Sequence, residues 1–106
     1  MNFSNLSDIA KYIVADGKGI LAADESNPTC KKRFDSISVE STEENRRDYR
    51  ELLFTSKGMK KNIGGVILFD ETIRQHSESG KPLVEIIVES GALPGIKVDK
   101  GLQPFN

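Results

Sequence analysis

The sequence contains very little cysteine and histidine: Cys30 and His76 are the only residues of their kinds. A single thiol cannot form an internal disulfide, so a disulfide-stabilised secreted scaffold is excluded and a reducing, cytoplasmic location is expected. One histidine and one cysteine far apart in the chain do not have the spacing of a metal site. The sequence therefore predicts a protein without disulfides or a bound metal ion.

Long apolar runs and clusters of one charge sign are also absent. Polar residues interrupt the segment 1–12, which excludes a signal peptide or a membrane span there. The 15 basic and 16 acidic residues give a formal net charge of -1, so neither nucleic acid nor an anionic membrane is expected as a partner. Gly17 and Gly19 precede an apolar run instead of following a strand, so they are not a dinucleotide fingerprint, and no cofactor is expected.

Apolar segments predict three buried strands, near residues 19–24, 63–69 and 95–98. The middle one is continuous and rich in branched side chains, a pattern typical of a strand covered on both faces. Helical spacing predicts helices over about 5–15, 30–36, 43–55 and 83–90. Because helices separate the strands, right-handed crossovers and a parallel sheet are expected, and the predicted fold class is α/β.

Local signals predict where the helices begin and end. Ser4 or Asn5 can cap the first helix. Ser41 and Glu44 have the spacing of a capping box before the long helix. Gly91 and the segment Pro94-Gly95 are predicted to end the last helix before the third strand begins.

Two charged residues at strand ends are candidates for chemistry. Asp24 closes the first strand and can act as acid, base or cation partner, or simply cap the next helix. Lys97 lies between Ile96 and Val98 and can attack a carbonyl, hold an anionic group, or reach water at a strand end. In an eight-stranded barrel alternate strands contribute to one interior layer, so Asp24 and Lys97 are expected to meet.

The other basic residues have a simpler explanation. Arg33 can clamp a phosphate, as can the pair Arg46-Arg47, but charges on a helix usually form its solvated face. In the helix over 43–55 the apolar stripe is predicted to consist of Tyr49, Leu52 and Leu53, which leaves Arg50 free to face water or a ligand. His76 lies among polar residues and is expected at the surface.

Four sequence blocks resemble those of class I fructose-bisphosphate aldolases, in the family's order and with nearly its spacing. These blocks are residues 17–26, 42–47, 63–69 and 95–101. The resemblance implies an eight-stranded α/β (TIM) barrel that reversibly cleaves fructose 1,6-bisphosphate to dihydroxyacetone phosphate and glyceraldehyde 3-phosphate through a lysine Schiff base, without metal. It also implies a cytoplasmic homotetramer of glycolysis and gluconeogenesis.

The resemblance also assigns site residues. Asp24 and Lys97 match the family's active-site aspartate and lysine on strands one and three. Positions that bind a substrate phosphate or contact a ligand are matched by Ser26, Thr29, Arg33 and Arg46. The segment Asn27-Pro28 departs from the small, glycine-containing loop of vertebrate members, and Pro28 stiffens it.

The chain is short for this fold, with 106 residues where a complete barrel needs roughly 250. We expect residues 1–106 to be the first three strands of a partial barrel domain, with helices on one side of the sheet. The family's Schiff-base lysine is expected beyond Asn106, so the remainder of the barrel is an expected partner and the piece alone is expected to be inactive. The alternative is a non-catalytic module that binds phosphate-bearing ligands or a protein.

Overall fold

The computed structural model describes residues 5–97, which form one parallel three-stranded sheet. Its strands are β1 (Gly19–Ala23), β2 (Ile63–Leu68) and β3 (Leu93–Ile96), and they lie in the order β1-β2-β3. Both pairings are parallel, with Ala23 opposite Leu68 and Leu68 opposite Ile96. The predicted parallel sheet, its strand order and its α/β class are therefore confirmed.

Within residues 5–97, six helices connect and flank the strands. They are α1 (Leu6–Ile13), α2 (Asn27–Asp35), α3 (Glu43–Phe54), α4 (Lys57–Asn62), α5 (Asp70–Ile73) and α6 (Leu83–Glu89). The sequence did not predict α4 or α5, because α4 buries only Met59 and α5 is four residues long, too short to show a helical period. Within residues 5–97 no helix is long and apolar enough to cross a membrane.

The core lies between one face of the sheet and the helices. Ala23, Val66 and Leu68 alternate along their strands and are buried against side chains of α3, α4 and α6. Ile20 and Ala22 face the other side of the sheet and are exposed, Ile20 at 52%. Along β1 the sheet thus has one covered and one open face, but the prediction of helices on one side only was wrong at α1, which packs over the open face at the beginning of β2.

Helix α1 packs at the beginning of β2 through a pair of glycines. A Cβ atom at Gly64 would lie 2.8 Å from the carbonyl carbon of Ile13, and one at Gly65 would lie 2.9 Å from the Ile13 Cγ2 atom. The Tyr12 hydroxyl donates to the Gly91 carbonyl at 2.6 Å. Asn5 caps α1 by accepting from the Asp8 amide at 3.0 Å, as predicted, whereas Ser4 lies outside the described residues.

The predicted capping box of α3 is wrong by one residue. Thr42 is the N-cap, and its hydroxyl accepts from the Asn45 amide at 3.1 Å. The Ser41 hydroxyl instead accepts from Arg46 Nη1 at 3.2 Å. Both positions carry a hydroxyl before two glutamates, so sequence alone did not distinguish them.

The third strand begins two residues earlier than predicted. Pro94 and Gly95, predicted to end the preceding helix, lie inside β3, while Gly91 follows α6 with a positive φ of 96°. Proline is tolerated there because β3 has a strand on one side only among the described residues. Lys97 follows β3, and its amide still donates to the Leu68 carbonyl at 2.9 Å. Val98, the last residue of the predicted strand, lies outside the described residues.

Candidate active site

The sheet brings Asp24 and Lys97 together at the carboxyl ends of its outer strands. The Lys97 Nζ and Asp24 Oδ2 atoms are 3.6 Å apart, and the side chains are 30% and 25% exposed. The contact between Asp24 and Lys97, expected because alternate barrel strands contribute to one interior layer, is therefore present. Asp24 does not occupy the capping position of α2, which Ser26 holds. Asp24 therefore contacts Lys97 instead of capping the helix.

The two predicted hydroxyl residues lie at the start of α2. Ser26 is the N-cap without a side-chain cap bond, and its Oγ lies 3.1 Å from Thr29 Oγ1. The helix begins at Asn27, three residues before the predicted start, so Thr29 lies inside its first turn and does not cap it. Pro28 fits this first turn, where a missing N–H leaves no hydrogen bond unmade. The serine and threonine hydroxyls consequently form a pair at the amino end of a nine-residue helix.

Arg33, on α2, is held by Glu25. Its Nη1 atom forms an ion pair with Glu25 Oε2, which also accepts a hydrogen bond from the Tyr49 hydroxyl at 3.1 Å. The Arg33 side chain is 58% exposed, whereas that of Glu25 is 9% exposed. The pKa of Arg33 is raised, first by a hydrogen bond with the Tyr49 side chain and then by the Glu25 charge. Arg33 therefore presents a fixed positive charge near the surface.

Arg50 is buried beneath the end of β1, a position that sequence reasoning missed. It is 1% exposed, and its Nε atom donates to the Ala23 carbonyl at 3.1 Å. Its Nη2 atom donates to the Glu25 carbonyl at 2.8 Å and lies 3.3 Å from Glu25 Oε1. The prediction that Arg50 is free to face water was wrong, because its burial is stabilised by these acceptors. Its four-residue spacing from buried Phe54 was the available signal.

Arg46 makes a separate ion pair. Its Nε and Nη2 atoms each lie 2.8 Å from a carboxylate oxygen of Glu71, a bidentate arrangement. Hydrogen bonding from Arg46 lowers the pKa of Glu71 below its ordinary value of 4.5. Arg46 also borders a cleft of about 490 Å³. The other residues lining it are Asn27, Pro28, Lys31, Asp35, Glu40 and Ser41. In the structure, Arg46 is therefore paired with the Glu71 carboxylate, beside the residues that begin α2.

The remaining predicted residues are a partly buried arginine, Arg47, and an exposed histidine, His76. Arg47 pairs with Asp48 at 2.6 Å, and His76 is exposed. The predicted apolar stripe of α3 was partly wrong, since Leu52 is 71% exposed. Among residues 5–97 no group of three or more histidine, cysteine, aspartate or glutamate side chains is arranged to hold a metal ion.

Comparison with known proteins identifies the family. The model of the glycolytic class-I fructose-bisphosphate aldolase family matches residues 5–106. The chain is 60% identical over 97 residues to fructose-bisphosphate aldolase 2 of Plasmodium berghei, covering 92% of this chain and 26% of that one. It is 52% identical over 105 residues to a probable class 1 aldolase of Xanthomonas campestris, covering 99% of this chain and 31% of that one.

A solved structure agrees with these matches. The aldolase of Plasmodium falciparum, in a complex with TRAP and a small-molecule inhibitor, superposes with a TM-score of 0.90 at 54% identity, covering 94% of this chain and 29% of that one. The chain spans about a quarter to a third of the length of the relatives it matches. From its sequence, its parallel sheet and these matches, the chain belongs to the class-I fructose-bisphosphate aldolase family.

Proposed function

We propose that this chain supplies the first three strands of an aldolase barrel that reversibly cleaves fructose 1,6-bisphosphate to dihydroxyacetone phosphate and glyceraldehyde 3-phosphate. The observation that carries the proposal is the contact between Asp24 and Lys97 at the carboxyl ends of β1 and β3, 3.6 Å apart. Barrel enzymes assemble their active sites at this end of the strands. Residues 1–106 are then a partial barrel domain that contributes side chains to a site completed by other strands.

Asp24 and Lys97 have complementary roles in this proposal. The Asp24 carboxylate exchanges protons with, or stabilises, the hydroxyls that react during carbon–carbon cleavage. The Lys97 ammonium, facing that carboxylate, holds substrate oxygens by charge-assisted hydrogen bonds. The nucleophile that forms the Schiff base is, in this proposal, a different lysine that lies outside residues 1–106. With these roles, the chain is necessary for turnover but is not sufficient on its own.

The proposed phosphate site lies at the beginning of α2. The hydroxyls of Ser26 and Thr29 are donors, and the Arg33 guanidinium supplies a positive charge. Free amides at the amino end of the helix add a favourable dipole for an anion. Arg46 is proposed as an outer contact that approaches the ligand when it leaves Glu71. No metal or cofactor takes part.

The proposal extends to partners and location. The partners are fructose 1,6-bisphosphate, the two triose phosphates and the remainder of the barrel, in a homotetrameric enzyme of glycolysis and gluconeogenesis. A cytoplasmic location fits the single cysteine. Named aldolase relatives that cover nearly all of this chain favour the enzyme over the alternative of a non-catalytic binding module.

A chimeric enzyme tests the proposed function. We expect a chimera that joins this chain to the remainder of the Plasmodium falciparum aldolase to cleave fructose 1,6-bisphosphate in a coupled assay. We expect the 106-residue chain alone to show no turnover, because it lacks the nucleophile. An inactive chimera with a native thermal transition, or turnover by the chain alone, would refute the proposal.

A further inference from the structure

Glu25 connects an exposed arginine to a buried one. Its Oε2 atom bonds the Arg33 guanidinium and accepts from the Tyr49 hydroxyl at 3.1 Å. Its Oε1 atom lies 3.3 Å from Nη2 of Arg50, which is 1% exposed. Both carboxylate oxygens of Glu25 therefore have partners: Oε2 contacts the exposed Arg33, and Oε1 contacts the buried Arg50.

The contacts fix the Glu25 backbone as well as its side chain. Arg50 donates to the carbonyls of Ala23 and Glu25, so one planar guanidinium spans the end of β1. Asp24 lies between these two carbonyls and Ser26 follows them in the chain. A rigid, buried donor at this point holds in place the backbone that carries both residues.

An exposed arginine gains most from such a fixed partner. A long surface side chain loses rotamer entropy when a ligand immobilises it. The Arg33 side chain is 58% exposed but tied to a carboxylate that is only 9% exposed. A guanidinium has five N–H donors, and the contact with Glu25 involves Nη1, so other donors remain on the exposed group. Part of the conformational entropy that the Arg33 side chain loses on binding an anion is thus already lost in the unbound protein.

We propose that Glu25 is a positioning residue of the phosphate site, holding Arg33 in place for a substrate phosphate while Arg50 locks Glu25 to the end of β1. This inference rests on the proposed function, in which Arg33 binds phosphate. It adds a residue that was not among the site residues predicted from the sequence. Glu25 acts through Arg33, so removing it should weaken phosphate binding only while Arg33 is present.

A double-mutant cycle in the chimera tests this dependence. The variants are Glu25→Gln, Arg33→Ala and the double variant. The matched control is Glu89→Gln, at the end of α6, which removes the carboxylate of an exposed ion pair with Lys81. The probe is inorganic phosphate, whose affinity is obtained from the rise in thermal midpoint at constant ionic strength and needs no turnover. KM and kcat for fructose 1,6-bisphosphate are measured in parallel.

We expect Glu25→Gln to weaken phosphate binding and raise KM by about tenfold, with kcat changed by less than about threefold. In the Arg33→Ala background the same substitution should change phosphate affinity by less than about twofold, because coupled residues are not additive. Glu89→Gln should change neither quantity. If Glu25→Gln does not fold, Tyr49→Phe removes a hydroxyl that contacts both Glu25 and Arg33 and should weaken phosphate binding about threefold, again only with Arg33 present.

The outcomes separate two failures. Equal effects of Glu25→Gln, or of Tyr49→Phe, with and without Arg33 would show a merely structural role and overturn the positioning proposal. Unchanged phosphate affinity in Arg33→Ala would overturn it as well. A chimera that binds phosphate through Arg33 but does not turn over would instead refute the proposed function and leave the coupling between Glu25 and Arg33 measurable.

Discussion

In the chimera, Asp24→Asn is expected to lower kcat for fructose 1,6-bisphosphate cleavage by about 100-fold or more, the size typical of a lost acid–base group. Asparagine keeps the size of the side chain but cannot take up a proton, and it leaves Lys97 facing a neutral amide instead of a carboxylate at 3.6 Å. KM should change much less than kcat if the carboxylate acts mainly in the transition state. The coupled assay measures both constants.

The matched control is Asp48→Asn on the outer surface of α3. Asp48 pairs with Arg47, and its side chain is 55% exposed. Its neutralisation should change kcat by less than about twofold, as is usual for exposed ion pairs. Equal activity of Asp24→Asn and the parent chimera would remove Asp24 from the proposed site.

Arg50→Met is expected to destabilise the chimera by about 3 to 5 kcal/mol, because two backbone carbonyls lose their donor and the mostly buried Glu25 carboxylate loses one of its two cations. Methionine fills part of the space but provides no donors for the Ala23 and Glu25 carbonyls, and it leaves the Glu25 carboxylate with Arg33 as its remaining cation. Thermal or urea unfolding followed by circular dichroism measures the loss.

Arg74→Met is the control for this substitution. Arg74 pairs with Asp70 four residues away, and its side chain is 70% exposed. Its loss should cost about 0.5 kcal/mol or less, the usual size for an exposed pair within a helix. Similar destabilisation by the two substitutions would mean that burial of Arg50 contributes little.

The sequence was sufficient to predict the sheet because its signal is local and strong. Ile63 to Leu68 is an uninterrupted apolar run, and such runs separated by helices favour a parallel arrangement. That arrangement predicted the contact between Asp24 and Lys97, because the carboxyl ends of parallel strands lie at one edge of the sheet. The distance between the two residues in the structure agrees with that expectation.

The details that were missed depend on tertiary contacts. Arg50 was predicted to face water or a ligand because it lies outside the predicted apolar stripe of its helix, and only the three-dimensional arrangement brings the Ala23 and Glu25 carbonyls to it. Pro94 was predicted to end a helix because proline usually breaks regular structure, but the position of β3 at the edge of the described sheet accommodates it. Glu25 was not predicted as a site residue, since nothing in its neighbours along the chain indicates its three partners Arg33, Tyr49 and Arg50.

Borohydride trapping tests the central claim most directly. The chimera is incubated with dihydroxyacetone phosphate and sodium borohydride, which reduces a Schiff base to a stable secondary amine, and the modified lysine is located by peptide mass spectrometry. We expect one adduct, on a lysine of the grafted segment, and none within residues 1–106. An adduct on Lys97, or no adduct in a chimera with a native thermal transition, would contradict the assignment of this chain as the supporting part of a Schiff-base aldolase site.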